Sequence, residues 1–296
     1  MSKIRTLIKI IKKPSMIIEP LGKRGLLNWL DDEKYITLVY KSRLNKRIDL
    51  KNPQGFNEKL QWLKLNRHDS KYIKLVDKIN AKSEISKIIS EEYIVPLISR
   101  YDSADAIDFG KLPDRCVIKC NHDQGSTIIY ERGKDENKIR EHFRRCLKKN
   151  QYYETREWPY KSIVPQILCE PFLADDIIDY KFFCFNGKAE MINIGQKNHV
   201  DKSTNISFLD LNWQPMPFQR KDFKPMEKIP DKPECLDKMI ELAEKISSVE
   251  PFVRVDFFLV DGHIYFSEFT LYPTSGYIQF DPETGDDYLG KMLLIK

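Results

Sequence analysis

Phe252-Val253-Arg254-Val255-Asp256-Phe257-Phe258-Leu259, Val260-Asp261-Gly262 and His263-Ile264-Tyr265-Phe266-Ser267-Glu268-Phe269-Thr270 form the stretch whose reading decides the fold. Two apolar runs rich in Val, Ile, Phe and Tyr flank a Gly-containing turn, which predicts two paired antiparallel strands. Four polar residues, Arg254, Asp256, Glu268 and Thr270, interrupt these otherwise core-like runs. Burying a charge costs several kcal/mol unless it is paired or binds a metal, so these side chains belong to a site. Side chains alternate faces along a strand, and the connecting loop therefore decides whether the four converge. A two-residue turn sets 260 opposite 263 and turns Asp256 away from Glu268. A three-residue loop Val260-Asp261-Gly262 sets 259 opposite 263 and 256 opposite 266, which places all four on one face. Glycine at the third position suits the left-handed residue of such a loop, so the longer loop is expected. Val253, Val255, Phe257 and Phe269 then face the core. Two carboxylates and a hydroxyl on neighbouring strands make a hard-oxygen site suited to Mg²⁺, and an arginine beside them suits phosphate. An Arg–carboxylate pair bracing the sheet would use the same residues.

Working outward, Asp179–Phe185 and Lys188–Ile194 flank Asn186-Gly187, a hairpin signal. Strands are also expected at 115–120, 128–130, 163–169 and 206–209. Helices are expected over 26–40, 56–65, 72–89, 136–148 and 233–247 from their apolar spacing. The mixture predicts an α+β fold with antiparallel hairpins. Lys119 ends an apolar strand and precedes a loop holding Gly125, Ser126 and Thr127, where backbone amides and the ammonium can hold phosphate. A surface hairpin with a chance lysine reads equally well from these residues alone. The run Ile167-Leu168-Cys169-Glu170-Pro171-Phe172-Leu173 ends a strand in an acid followed by proline. It reads either as a hinge whose free backbone groups could meet adenine or as an ordinary strand exit.

The 296 residues carry 49 Lys/Arg against 44 Asp/Glu, a net charge of +5. Residues 1–47 hold 12 of the bases and 4 of the acids, a net +8, so the remaining 249 residues carry −3. The body is not basic, which excludes nucleic acid as the main partner. No run of about 18 apolar residues spans a membrane, and the start lacks the pattern of a secretory signal. Six cysteines without a CxxC pair, several in apolar runs, read as reduced core thiols of a cytoplasmic protein. In the arm, Ile4, Leu7, Ile8 and Ile11 fall at helical spacing among lysines, with Pro14 ending the pattern. Residues 1–13 therefore make either a helix packed on the body or a peripheral contact with the inner, anionic membrane face. The five histidines have no zinc spacing. Walker A, GxSxG and Asp-x-Asp motifs are absent.

Taken in order, several short motifs resemble the TupA-like (teichuronopeptide-synthesis) family of ATP-grasp proteins. They are Asn57-Glu58-Lys59-Leu60-Gln61-Trp62-Leu63-Lys64, Asp77-Lys78, Val117-Ile118-Lys119 with Asn121-His122, Asp179-Tyr180-Lys181-Phe182 with Phe185-Asn186-Gly187, Arg254-Val255-Asp256, and Glu268-Phe269-Thr270 with Ser275-Gly276. The resemblance covers roughly residues 50–291. It implies an ATP-grasp architecture, with a nucleotide cleft between two α+β lobes and an N-terminal helical extension. The expected divisions are 1–75, 76–168 and 169–296. It further implies that Lys78 and Lys119 approach the phosphates of ATP and that Gly125 and Ser126 belong to a loop covering them. Glu170, Phe172 and Leu173 would form the adenine hinge, Asp175 or Asp176 would meet ribose, and Lys181 would reach into the cleft. Asp256 and Glu268 would hold Mg²⁺, with Thr270 where the wider superfamily has Asn. Arg254 and Lys119 would stabilise the reacting phosphate, and Ser275 and Gly276 would contact substrate. The implied activity is an ATP- and Mg²⁺-dependent carboxylate–amine ligase of surface-polysaccharide synthesis. Its partners would be a small-molecule or lipid- or nucleotide-linked saccharide and an amine. A sugar kinase, a glycosyltransferase and a non-catalytic nucleotide-binding module are the alternatives.

Overall fold

The computed structural model describes residues 17–197 and 204–295. The amphipathic segment expected over 4–11 lies outside them. Helices α1 (Ile18–Lys23), α2 (Asp32–Leu44) and α3 (Phe56–Asn66) lead the chain. The second begins six residues later than its apolar spacing suggests, because Asp31 caps it by accepting from the Lys34 amide at 2.9 Å.

The continuous helix expected over 72–89 is two: α4 (Lys71–Val76) and α5 (Asn80–Ile89). Asp77 stands at the break. Its carboxylate accepts from the amides of Ile79 (2.9 Å) and Asn80 (3.3 Å), capping the second helix and competing with helix continuation. The Lys78 amide donates instead to the Asn121 carbonyl at 3.1 Å. The break thereby ties Lys78 to the far end of another strand.

Two antiparallel sheets follow. The smaller contains β1 (Ser99–Tyr101), β2 (Arg115–Cys120), β3 (Ile128–Glu131) and β4 (Ile167–Pro171), in the order β1-β4-β2-β3. Helix α6 (Glu136–Cys146) contributes Ile139 and Phe143 to its core, with Ile118, Tyr130 and Ile167. Strand β4 crosses the division expected at 168/169, since Cys169, Glu170 and Pro171 pair with Ile118, Val117 and Cys116 of β2. A short helix, α7 (Gln151–Thr155), connects α6 to this strand.

The larger sheet runs β10-β9-β5-β6-β7, with β5 (Asp179–Phe185), β6 (Lys188–Lys197), β7 (Thr204–Leu209), β9 (Phe252–Val260) and β10 (His263–Thr270). One face packs on α8 (Leu236–Ser247) through Val253, Val255, Phe257 and Phe182. The opposite face is aromatic at one end, where Phe56 of α3 meets Phe252 edge-on at 5.0 Å, and polar at the other. Two two-residue strands, β8 (Gln219–Arg220) and β11 (Phe280–Asp281), pair beside it, and α9 (Thr284–Met292) closes the chain. Cys116, Cys120, Cys146, Cys169 and Cys184 are buried free thiols. Among the described residues no helix is long and apolar enough to cross a membrane.

The motif Asn57–Lys64 explains itself as a clamp. Asn57, Gln61 and Lys64 share one side of α3. Asn57 exchanges two hydrogen bonds with the backbone of Ile278, at 2.9 and 2.8 Å. Gln61 donates to the carbonyls of Ser275 and Gly276, and the buried Lys64 donates to those of Ser275 (2.7 Å) and Thr155 (2.9 Å). Burial pushes the Lys64 ammonium down to about 7 and pushes the buried Glu157 carboxyl up. Lys64→Met should therefore destabilise the fold by about 1–3 kcal/mol, the scale of leaving a buried carbonyl such as that of Thr155 without its donor. Urea unfolding measures this; a loss below about 1 kcal/mol would show that the clamp is dispensable.

Candidate active site

The polar set on β9 and β10 does converge, by a different route from the one expected. The turn is the two-residue Asp261-Gly262, with Val260 opposite His263 and positive φ of 50° and 77°. By alternation alone this would send Glu268 to the core side. A β-bulge corrects it: Phe266 pairs with Phe257, but Glu268 pairs with Asp256, so Ser267 is an extra residue on β10. Beyond the bulge the faces exchange, and Thr270 lies opposite Arg254. On the other side of β9, Lys181 of β5 lies opposite Asp256. Lys181, Asp256 and Glu268 thus form one row across three strands.

Electrostatics bind this row together. Arg254 grips Asp256 with two parallel bonds, Nε–Oδ1 at 2.7 Å and Nη2–Oδ2 at 2.6 Å. The same Nη2 donates to Thr270 Oγ1 at 3.1 Å and lies 3.6 Å from Glu268 Oε2. Lys181 Nζ is 3.0 Å from Asp256 Oδ2 and 3.2 Å from Asp179 Oδ2. Burial lowers the Lys181 affinity for its proton, yet Asp256 and Asp179 more than offset this and its pKa is raised. For Glu268, burial pushes the pKa up while Lys78, Arg254, Lys181 and Lys119 pull it down, leaving it at about 2. Glu268 is therefore ionised at any physiological pH, although its side chain is only 27% exposed.

Across from this row stand the two lysines. Lys78, at the break between α4 and α5, lies 3.4 Å from Glu268 Oε1 and donates to the Asp123 carbonyl at 2.7 Å. Lys119, near the end of β2, lies 2.6 Å from Glu170 Oε2. Lys78, Lys119, Gly125, Arg254, Glu268 and Thr270 line one cavity of about 420 Å³. Residues 149 positions apart in sequence, Lys119 of the small sheet and Glu268 of the large one, thus face the same space.

Other expected site residues are placed differently. The Ser126 hydroxyl donates to Asp123 Oδ1 (2.5 Å) and accepts from the Cys120 amide (2.8 Å), so its side chain locks the 121–127 loop while the residue lines the cavity. Gly125, at φ +95° and with open space around it, remains on the cavity wall. Glu170 is buried between Lys119 and Lys82, 2.7 Å from the latter, so its carboxylate is a counter-ion for two lysines. Phe172 lies under the Arg115 guanidinium at 3.7 Å, and Arg115 also holds Asp175. Leu173 is half-buried and Asp176 exposed beside them. Lys181 lies beneath the cavity, spent on two carboxylates. The Ser275 hydroxyl donates to Glu157 (2.7 Å) and its carbonyl is taken by Gln61 and Lys64. Gly276 packs against Gln61. Of that turn it is Thr274, with a left-handed φ of 51°, that reaches the cavity. Lys82, Asp179, Arg220 and Thr274 were not anticipated.

The residues fit a magnesium ion in one mode. Asp256, Glu268 and Thr270 offer hard oxygens on one face, and Mg²⁺ is commonly held by one or two carboxylates together with substrate phosphates. Among the described residues no cluster of three or more His, Cys, Asp or Glu supplies a self-sufficient cage. In this structure the Arg254 guanidinium reaches both carboxylates.

The sequence profile of the family described as TupA-like ATPgrasp matches residues 58–294. The chain belongs to that family. Its α+β architecture of two sheets around a cleft is the ATP-grasp fold. No curated protein sequence matches it. Solved structures with a partial likeness include the D-alanine–D-alanine ligase of Bacillus anthracis complexed with ATP, at 15% identity and a TM-score of 0.42, over 74% of this chain and 63% of that one. The L-amino acid ligase of Bacillus licheniformis aligns at 12% identity and a TM-score of 0.47, over 84% and 57%. The D-alanine–D-alanine ligase of Helicobacter pylori aligns at 15% and 0.43, over 81% and 69%. The TupA-like chain thus spans less than two thirds of the length of the first of these proteins.

Proposed function

We propose that the protein is an ATP- and Mg²⁺-dependent carboxylate–amine ligase acting on a precursor of a cell-surface polysaccharide. The observation that carries this reading is the shared cavity, where Lys78, Lys119 and Arg254 converge on an ionised Glu268 from two lobes. Three cations in a cleft suit a polyphosphate, and Glu268 would hold the accompanying metal, with Asp256 joining it only where Arg254 gives up one of its oxygens. When bound, Mg²⁺ supplies charge neutralisation at the phosphates. Lys119 and Lys78 orient the phosphates and stabilise charge on the transferred group. Arg254, held in plane by Asp256, adds its positive charge beside the γ-phosphate and the incoming acid. A carboxylate oxygen attacks the γ-phosphorus, and ADP departs. The amine then attacks the acyl carbon, and phosphate leaves with the new C–N bond formed and the amine proton released.

The test is ADP release across a panel of uronic and amino acids with amines. Turnover only when both acid and amine are present, and hydroxamate formation when hydroxylamine replaces the amine, support the ligase. A sugar phosphate as product would identify a kinase, and nucleotide binding with no turnover would leave a binding module. In this reading the enzyme works in the cytoplasm, and residues 1–13, with five Lys/Arg, hold it reversibly at the inner membrane face. Each base near an anionic surface contributes about 1 kcal/mol. Co-sedimentation with anionic vesicles should therefore fall on deleting residues 1–13 and on raising salt. Equal binding by both forms, or none by either, would end the membrane idea.

A further inference from the structure

The cavity has one more cation than the nucleotide reading uses. Arg220 lines it beside Thr274, yet comes from β8, a strand outside both large sheets. Its surroundings pre-set its direction. Asp222 accepts from Nε at 2.9 Å and from Nη2 at 2.6 Å, and the Phe223 ring lies 4.5 Å from the guanidinium carbon. Its backbone pairs with Phe280 of β11, and the neighbouring Lys221 amide donates to the Gln279 carbonyl at 2.8 Å. The side chain is 12% exposed, whereas Asp222 is 47% exposed and is not part of the cavity wall.

The other cavity cations are each engaged by an acid of the nucleotide and metal machinery: Lys119 by Glu170, Lys78 by Glu268, Arg254 by Asp256. Asp222 instead takes one edge of the Arg220 fork from outside. Nη1 has no hydrogen-bond partner among the described residues. A planar guanidinium braced on one edge and open on the other is suited to a carboxylate or a phosphate ester. The chain order gives its place: Thr270 ends β10, Thr274 lies in the next turn, and Phe280 then carries the strand that pairs with Arg220. The guanidinium is therefore set beyond the end of β10, on the cavity wall. The 275–278 backbone between is held by the α3 clamp.

We propose that Arg220, with Thr274, binds an oxyanion of the second substrate, a carboxylate or a phosphate ester of an acidic saccharide or amino acid. This rests on the reading of the cavity as a nucleotide cleft. The test uses the full chain with Mg²⁺ and a non-hydrolysable ATP analogue at saturation, titrated with glucuronate, L-glutamate or glucose 1-phosphate. The wild type should bind at least one probe, and the preferred probe tells carboxylate from phosphate ester. Arg220→Ala should weaken that probe at least 10-fold while the affinity for the analogue stays within about twofold, and Arg220→Lys, which keeps the charge without the fork, should fall between. Arg220→Gln, which keeps the stem over Phe223, serves if the alanine variant does not fold. An unchanged probe affinity, a tenfold loss of analogue affinity, or no probe bound by the wild type overturns the proposal. Analogue binding without any probe binding removes this site alone, whereas no analogue binding by the wild type removes the nucleotide reading with it.

Discussion

Replacing Glu268 with Gln is expected to lower ADP formation by on the order of 10³-fold or more, the largest effect of any single change in this chain. The substitution keeps shape and removes one charge. Glu268 lines the cavity, as Asp123 does, but it alone of the two answers Lys78 at 3.4 Å and Arg254 at 3.6 Å through its carboxylate. Asp256 cannot replace it, because both of its oxygens already accept from Arg254 and one of them lies against Lys181. A site that would hold its metal through Glu268 loses metal and phosphate orientation together when that charge goes. The same residue carries a stability signature. Its carboxyl sits at about 2 in the fold against an ordinary 4.5. A depressed carboxylate contributes stability that is complete above the unfolded value and disappears as pH falls through the folded one. Wild type should thus exceed Glu268→Gln by roughly 3 kcal/mol near pH 7, and the difference should vanish between pH 4.5 and 2. Urea unfolding at pH 7 and pH 3 measures it. Full turnover by the variant would remove Glu268 from the chemistry, and a pH-independent stability difference would contradict the charge network.

Lys119→Ala should cost 10²–10³-fold in rate, about 2.7–4 kcal/mol of transition-state stabilisation. The fold should survive, because Glu170 retains Lys82 at 2.7 Å and is not left unpaired. Lys119 has a competing, purely structural role as the partner of Glu170 at 2.6 Å. The double variant Lys119→Met with Glu170→Gln separates the two. If Lys119 only neutralises Glu170, the double variant recovers activity. If Lys119 touches phosphate, the double variant stays as slow as Lys119→Ala and its affinity for nucleotide stays low. Measured kcat and nucleotide affinity for the three proteins decide it.

The residues that carry the site were legible because charge inside an apolar strand is expensive. Arg254, Asp256 and Glu268 are conspicuous in runs of Val, Ile and Phe, whereas Lys119 alone reads equally well as a chance surface lysine, and period-two alternation assigns Val253, Val255 and Phe257 to the opposite face without any structure. Register was not legible. The turn is one residue shorter than Gly262 suggests, and Ser267 bulges out by one, so the two departures add to a two-residue shift of register that keeps the face and sets Glu268 opposite Asp256, where Phe266 was expected. Either departure alone would flip Glu268 and Thr270 into the core. Neither departs from local preference strongly enough to be read along the chain: Asp-Gly serves both loop lengths, and a bulge is chosen by what packs on either side of it.

Chain composition and periodicity by themselves determined an α+β protein with a charged constellation on a hairpin, and the ordered motifs pointed to its family. The tertiary structure decided which polar groups are spent. Ser126, Glu170, Lys181 and Ser275 look as available in sequence as Gly125, Lys119, Arg254 and Thr274. In the fold Glu170, Lys181 and Ser275 lie off the cavity wall, paired with Lys82 and Lys119, Asp256 and Asp179, and Glu157, whereas Ser126, bonded to Asp123, lines it together with Gly125, Lys119, Arg254 and Thr274. Arg220 became visible only when β8 paired with β11 across 60 residues of chain. The physical reason is range. Helix and strand preferences act over neighbouring residues. The pairing that satisfies or spares a buried polar group is made between segments that the chain brings together only on folding.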